Sequence, residues 1–192
     1  MGLIRLSKKI TKSSNNTGDF GEMIVSSIFD NRFFDNDEHY LINNLYIIIN
    51  DKSYQLDHVL IYSRGIFVIE TKNIKGKIIG DYDSPKWVVI NHNRKYYINN
   101  PIKQNHIHEV ALNELLEYKY PIIPITVFIH SNKPSNIDNS IVNLEELKDY
   151  IKSYTNEMSL DSNTMQDIYT FLTTYKEQHS ISRSEHIKNI NK

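Results

Sequence analysis

The sequence predicts an α/β domain, because stretches with helical spacing of apolar residues alternate with short apolar strands bounded by turn residues. The 192 residues are enough for one domain with a full hydrophobic core. Apolar residues make up 40% of the chain and charged residues 23%, which is typical of globular proteins. We find no internal repeat and no linker-like stretch, so we expect a single domain over residues 18–180. It would lie between a flexible basic arm at 1–17 and a polar tail at 181–192.

Three long strands are predicted in the first half of the chain. The stretches "YLINNLYIII" (40–49) and "YQLDHVLIYS" (54–63) are separated by the turn residues Asn50 to Ser53. "GIFVIETKN" (65–73) follows after a short turn, so the second and third strands should pair as an antiparallel hairpin. Both faces of the third strand are mostly apolar, which indicates a central strand covered on both sides. Shorter strands are expected near 76–80, 87–90 and 95–98, and a mostly buried one at 122–129 despite Pro124.

Four helices are predicted around these strands. The first runs from about residue 18 to 30, where Phe20, Ile24 and Ile28 follow helical spacing. The second begins at Asn100 and Pro101, which suit an N-cap followed by proline in the first helical position, and it runs to about residue 118. The remaining helical patterns cover 143–151 and about 161–178.

Composition excludes several classes of site. The chain has no cysteine, so disulfides, thiolate zinc sites and cysteine nucleophiles are excluded, and a reducing cytoplasmic setting fits. No apolar run resembles a signal peptide or a membrane span, so we expect a cytoplasmic protein with no membrane partner. The net charge of −1 gives no bulk argument for binding nucleic acid, yet residues 64–103 hold eight basic and three acidic residues. Such a local excess either attracts phosphate or is a solvated surface, and charge alone favours the second interpretation.

Three charged residues lie on neighbouring apolar strands. Glu70 and Lys72, two residues apart, project from one face of an extended strand, and the hairpin can bring Asp57 to them. Burying an ionised carboxylate is costly unless a cation or several donors accompany it. One explanation is a salt bridge near the end of the sheet. The other is a metal site, in which two carboxylates offer hard oxygen ligands to Mg²⁺ or Mn²⁺. Lys72 would then orient or deprotonate a metal-bound water, or neutralise a phosphate.

Four short motifs occur in order along the first two thirds of the chain: GxxGE (18–22), QxDH (55–58), GIFVIETK (65–72) and NPxxQ (100–104). Their order and spacing resemble the nuclease-related domain (NERD) family of the PD-(D/E)xK phosphodiesterase superfamily. The resemblance covers about residues 18–130 and implies a restriction-endonuclease-like core, with a mixed central β-sheet flanked by helices. One departure is Leu56, which stands where the superfamily's name puts proline.

Carried over position by position, the resemblance makes Asp57 and Glu70 the metal-binding acids and Lys72 the catalytic lysine. The backbone carbonyl of Thr71 would be a further metal ligand. Glu22 matches the family's helix acid and would reach the metal directly or through water. Simple preference for acids at the start of a helix is the alternative explanation for Glu22.

Gln104 matches a family glutamine that flanks the site, in the first turn of a helix whose backbone N–H groups favour an anion. The resemblance thus implies a nuclease that depends on Mg²⁺ or Mn²⁺ and hydrolyses phosphodiester bonds, with DNA favoured over RNA and internal cutting favoured. The expected partners are nucleic acid and, if a motor is needed, a separate helicase or other protein. Two alternatives stay open: a non-catalytic nucleic-acid-binding or partner-docking module on the same fold, and a hydrolase of small phosphoesters.

Other polar and aromatic residues are interpreted as structural. His58 points away from Asp57 on a regular strand and is expected to be a hydrogen-bonded core histidine. His106 and His108 are two apart on a predicted helix and do not share a face, so we expect no zinc site there. A further group of aromatic residues interleaves with basic ones and would either stack bases or pack one face of ordinary strands, with packing favoured. This group comprises Tyr82, Trp87, Tyr96 and Tyr97.

Overall fold

The structure is a computed structural model, and it describes residues 17–29, 34, 37–131, 133–134, 137, 140–181 and 185–186. The predicted basic arm, apart from Thr17, and most of the predicted tail lie outside the described residues. Within the part of the chain that is described, no helix is both long and apolar enough to cross a membrane.

The predicted helices and strands are confirmed, with their ends shifted by a few residues. The helices are α1 Thr17–Ile28, α2 Pro101–Leu115, α3 Leu147–Ser153 and α4 Ser162–Gln178, with a 3₁₀ turn at Leu144–Glu146. The first six strands are β1 His39–Ile49, β2 Lys52–Tyr62, β3 Gly65–Lys72, β4 Lys77–Ile79, β5 Lys86–Asn91 and β6 Arg94–Asn99. They are followed by β7 Ile122–Phe128 and the short strand β8 Ile141–Asn143, which the sequence did not predict.

Five strands form the central sheet in the order β1-β2-β3-β7-β8. β1, β2 and β3 are antiparallel neighbours, and the predicted β2–β3 hairpin is confirmed by the register from His58↔Ile69 to Tyr62↔Gly65. β3, β7 and β8 run parallel, so the predicted mixed sheet is confirmed. β3 therefore lies in the middle, at the junction of the antiparallel and parallel halves.

Helices cover both faces of this sheet. On one face, Val59 and Val68 belong to a buried cluster with Leu112 of α2 and Leu172 of α4. On the other face, Leu60 and Ile69 pack with residues of α1 and α3, including Val25 and Leu147. The two-sided burial predicted for β3 is therefore confirmed. Its last two residues, Thr71 and Lys72, are only partly buried and lie at the edge of the two buried clusters.

A smaller three-stranded sheet, β4-β5-β6, lies beside the end of β7. Trp87 is fully buried and stacks on Phe128 with ring centroids 6.4 Å apart. Asn100, which follows β6, accepts a hydrogen bond from the Ile102 N–H at 3.0 Å, and this confirms the predicted N-cap of α2. Its side-chain Nδ2 also donates to three carbonyl oxygens of the β4–β5 loop, those of Asp81, Tyr82 and Ser84. Asn100 thereby ties the small sheet to the start of α2.

Gly21 allows α1 to lie directly against the end of β3. A Cβ atom at this position would lie 2.7 Å from Asn73 Cβ and 3.3 Å from Thr71 Cγ2, so only glycine fits the present approach. Because α1 lies this close to β3, the next residue, Glu22, lines the cleft beside β3.

We expect Gly21→Ala to lower the free energy of unfolding by about 1–3 kcal/mol, because the added methyl group forces α1 away from β3. The measurement is urea unfolding followed by circular dichroism. Gly18→Ala is the matched control, since Gly18 is exposed on the same helix; there, alanine should be neutral or stabilising. A Gly21→Ala protein as stable as the Gly18→Ala protein would contradict the packing argument.

Candidate active site

The central sheet separates between β2 and β3 at the end of their shared ladder. Beyond His58↔Ile69 the two strands no longer pair, while β2 continues to pair with β1 as far as Lys52 and β3 continues to pair with β7 as far as Lys72. Past this point the Thr71 N–H donates instead to Asp57 Oδ2, at 2.8 Å. We call this separation the fork; it consists of residues 55–57 of β2 and 70–72 of β3.

The fork also corrects the strict alternation that the sequence predicts for β2. Regular alternation would put Leu56 on the face of His58 and Leu60, but it packs in the buried cluster of Val59 and Ile61. On the neighbouring strand, Asn44 lies opposite Asp57 with a left-handed φ of 52°. β1 and β2 therefore bend together at Asp57, and side-chain alternation does not continue through the bend.

Glu70 is buried at the fork, with 3% of its surface exposed. Its Oε1 accepts a hydrogen bond from Lys72 Nζ at 2.5 Å, and Lys72 Nζ also donates to Gln104 Oε1 at 2.9 Å. Its Oε2 lies 3.3 Å from His108 Nδ1, although the two atoms are not aligned for a hydrogen bond. Burial by itself raises the pKa of Glu70, but Lys72 and His108 outweigh it and hold that pKa below its usual range. Glu70 is therefore ionised at neutral pH.

Asp57 has the opposite electrostatic balance. Burial and then the negative charge of Glu70 raise the pKa of Asp57 well above its usual range. The hydrogen bond from the Thr71 N–H acts against that rise, and the charge of Glu22 adds to it. The site thus places two carboxyl groups close enough to repel each other, in a setting where a cation would relieve the repulsion.

Helix α2 supplies the other side of the site. Gln104 and His108 are one turn apart and share a face, and that face is held against β3 because the Asn105 amide donates to the Val68 carbonyl at 3.1 Å. His106 points away and contacts Glu109 at the exposed surface, so the predicted divergence of His106 and His108 is confirmed. His108 was not among the predicted site residues. Its spacing of four residues from Gln104 was the signal that could have identified it.

The site opens into a cleft of about 780 Å³. Glu22, Asp57, Glu70, Thr71 and Gln104 all line it, and Lys72 joins them through its bonds to Glu70 and Gln104. The structure therefore brings all the predicted site residues together, with Glu22 at the wall of the cleft. One lining residue, His186 near the C-terminus, had no signal in the sequence; its Nδ1 lies 2.8 Å from Ser53 Oγ.

The donor set fits a divalent cation held mainly by two carboxylates. Among the residues that the structure describes, no three His, Asp or Glu side chains are arranged to hold a metal ion. However, Glu70 Oε2 is buried and lacks a hydrogen-bond partner within the same residues. Mg²⁺ and Mn²⁺ prefer oxygen ligands, and Mg²⁺ usually keeps several waters, so one or two carboxylates suffice for it. Coordination by the Thr71 carbonyl and by Glu22 stays a prediction.

Behind the site, His58 is the hydrogen-bonded core histidine that the sequence predicts. It is 1% exposed, and its Nδ1 lies 2.7 Å from Asn43 Oδ1. Because an amide oxygen can only accept, Nδ1 carries the proton of the neutral ring. Burial lowers the pKa of His58 from 6.5 to about 4, so the ring is neutral at pH 7.

We expect His58 to make the protein sensitive to acid. The pKa of His58 is lower in the folded than in the unfolded protein. As the pH falls below 6.5, His58 is therefore protonated in the unfolded protein before it is protonated in the folded protein, and the folded state loses stability. Between pH 7.5 and 4.5 wild type should lose roughly 2–3 kcal/mol of unfolding free energy relative to His58→Asn. Asparagine keeps a donor for Asn43 and has no charge to gain. Urea unfolding at the two pH values measures this difference, and an unchanged difference would show that His58 does not titrate as described.

A mixed sheet covered by helices on both faces, with an acid-x-lysine strand at the point where the central strands separate, is the arrangement of the restriction-endonuclease-like class. The sequence profile of the nuclease-related domain matches residues 17–129, and the chain belongs to this NERD family. It is also similar to pXO1-01, a protein of Bacillus anthracis described as uncharacterized. The two are 30% identical over 159 residues, which cover 79% of this chain and 73% of that protein. No solved structure gives a significant match.

Proposed function

We propose that the protein is a divalent-metal-dependent nuclease that hydrolyses phosphodiester bonds inside DNA strands. The observation that carries this proposal is the convergence of Asp57, Glu70 and Lys72 at the fork, on the wall of an open cleft. Membership of the nuclease-related family supports the reaction class. DNA is favoured over RNA by the resemblance of the site to the PD-(D/E)xK superfamily.

In this proposal Asp57 and Glu70 hold Mg²⁺ or Mn²⁺, with the Thr71 carbonyl and Glu22 completing the protein ligands. The bound ion would supply Lewis acidity, lowering the pKa of a coordinated water and stabilising charge on the phosphate. The Thr71 N–H fixes the orientation of Asp57 through its hydrogen bond to Oδ2. The fork thus presets the separation of the two acids.

Lys72 is the residue proposed to act on the attacking water or on the scissile phosphate. Its ammonium group is held between Glu70 and Gln104, and 18% of its side chain remains exposed. Gln104 limits the orientation of the ammonium group, because its Oε1 accepts a hydrogen bond from one of the three N–H groups. His108 lies against the far oxygen of Glu70 and, after Lys72, helps to hold the pKa of that carboxyl below its usual range.

We expect Asp57→Asn to raise the stability of the metal-free protein while abolishing its response to metal. The amide removes the repulsion with Glu70 but keeps an oxygen for the Thr71 N–H. In EDTA at pH 7.5, the melting temperature should rise by a few degrees, corresponding to about 1 kcal/mol. Millimolar Mn²⁺ should then raise the melting temperature of wild type and leave that of Asp57→Asn unchanged. An equal response to Mn²⁺ in both proteins would show that Asp57 is not a ligand.

We expect wild type to cut plasmid DNA with Mg²⁺ or Mn²⁺, and Asp57→Asn, Glu70→Gln and Lys72→Met each to lower the rate by about 100-fold or more. Gel analysis of supercoiled and linear single-stranded DNA measures the rates. His106→Ala is the matched control, because His106 lies on α2 two residues from His108 but faces solvent. Metal-dependent cutting that persists in all three site variants would refute the assignment. Binding without cutting under any metal condition would favour the non-catalytic alternative.

A further inference from the structure

The small sheet presents one face to solvent, and we call it the outer face. Its residues follow from the register, since directly opposite residues of antiparallel strands lie on the same side. One row across the sheet is Lys77–Ile90–Lys95, the next is Ile79–Val88–Tyr97, and the third is Lys86–Asn99. The opposite face carries the buried Trp87 and Val89. The outer face is therefore the uncovered side of a sheet whose other side is anchored in the core.

The exposed aromatic and apolar groups on this face correct the sequence interpretation in part. Trp87 is packed as expected, but Tyr97 is 61% exposed and Ile79 is 46% exposed. Tyr96 on the opposite face and Tyr82 in the β4–β5 loop, assigned to packing as well, are 41% and 39% exposed. β6 is an edge strand in which every residue except Ile98 is exposed. Tyr97 thus offers an exposed ring on an edge strand rather than a packed core side chain.

Positive charge frames these apolar groups. Three lysines of the outer face, Lys77, Lys86 and Lys95, are exposed, and Lys95 Nζ lies 5.7 Å from the centre of the Tyr97 ring. The acidic residues of this region, Asp81 and Asp83, are in the β4–β5 loop and not on the strands. Asp81 is occupied there by hydrogen bonds from Ser84. An exposed tyrosine ring beside exposed lysine charge matches the bases and the phosphates of a nucleic acid strand.

The outer face also leads into the candidate active site. Asn99 ends β6 on this face and lines the cleft that contains Asp57 and Glu70. Asn99 lies two positions along the strand from Tyr97, a distance of about 7 Å. Asn100 then fixes this end of the sheet to α2, the helix that carries Gln104. A nucleic acid strand bound along β6 would therefore extend directly into the cleft, because this end of β6 is fixed to α2.

We propose that the outer face binds single-stranded nucleic acid next to the cleft, with a base stacked on Tyr97 and phosphates on Lys77, Lys86 and Lys95. This inference takes its substrate class, nucleic acid, from the proposed nuclease function. It adds that the bound nucleic acid is single-stranded and that the outer face recognises it. A duplex keeps its base faces stacked inside the helix, so an exposed ring on a sheet gains more from an unpaired strand.

The test is fluorescence anisotropy with a 5′-fluorescein-labelled 20-nucleotide DNA of mixed sequence, used single-stranded and as its duplex, in EDTA so that no cutting occurs. Wild type should bind the single strand more tightly than the duplex. Tyr97→Ala should weaken single-strand binding by about ten-fold, and Tyr97→Phe should restore it, because stacking needs the ring and not the hydroxyl. The double variant Lys77→Ala with Lys95→Ala should reduce the slope of log K against log salt by about one to two.

Tyr118→Ala and Lys119→Ala are the matched controls. Tyr118 is 70% exposed, and both residues precede β7, at the end of the sheet away from Glu70. Unchanged binding in the Tyr97 and lysine variants, equal losses in the controls, or equal affinity for the duplex would each overturn the inference.

Because binding is measured without metal, the two proposals fail separately. Loss of binding in Tyr97→Ala with no cutting by wild type would refute only the nuclease. Cutting without any role for the outer face would refute only the binding surface.

Discussion

The hydrogen bond from the Thr71 N–H to the Asp57 carboxylate is the interaction on which the site depends. A backbone N–H at the end of a ladder needs an acceptor, and here a side chain supplies it in place of the neighbouring strand. The bond fixes the side chain of Asp57 just beyond the point where the pairing of β2 with β3 ends. The gap that results is the cleft. The bond thus lies where the sheet opens and orients the first acid next to the strand that carries Glu70.

The charges at the fork are incompletely balanced within the protein. Lys72 and His108 lower the pKa of Glu70. Asp57 faces two further acids, Glu70 and Glu22, and the Thr71 N–H and the charge of Lys72 only partly offset the rise in its pKa. A fold selected only for stability would neutralise or expose such a group. Retaining it is typical of a site whose missing charge comes from a ligand, and natural proteins commonly give up stability at functional sites. This imbalance supports the proposal of a cation-binding site rather than a structural salt bridge.

Much of this arrangement could be predicted from the sequence because it depends on local patterns. The β2–β3 hairpin, the two-sided burial of β3 and the N-cap at Asn100 each follow from short-range rules, and all three are confirmed. The fork could not be predicted from the sequence, because the pattern of residues in β2 gives no sign of an interruption at Asp57. The bend depends on the backbone conformation of Asn44, which is on another strand. β8 was missed because three residues are too short to show a period. The exposure of Tyr97 depends on which strand forms the edge of the small sheet, and no local pattern encodes that.

Leu56 shows how the chain positions Asp57 without the proline of the superfamily's name. Proline would fix φ before the aspartate and would remove a backbone donor. Leu56 is instead fully buried opposite Leu45, in the same cluster as Val59, at the point where β1 and β2 bend. The position is therefore set by packing and by continued pairing with β1. Since the Thr71 N–H orients the carboxylate from the other side, the loss of proline leaves the placement of Asp57 intact.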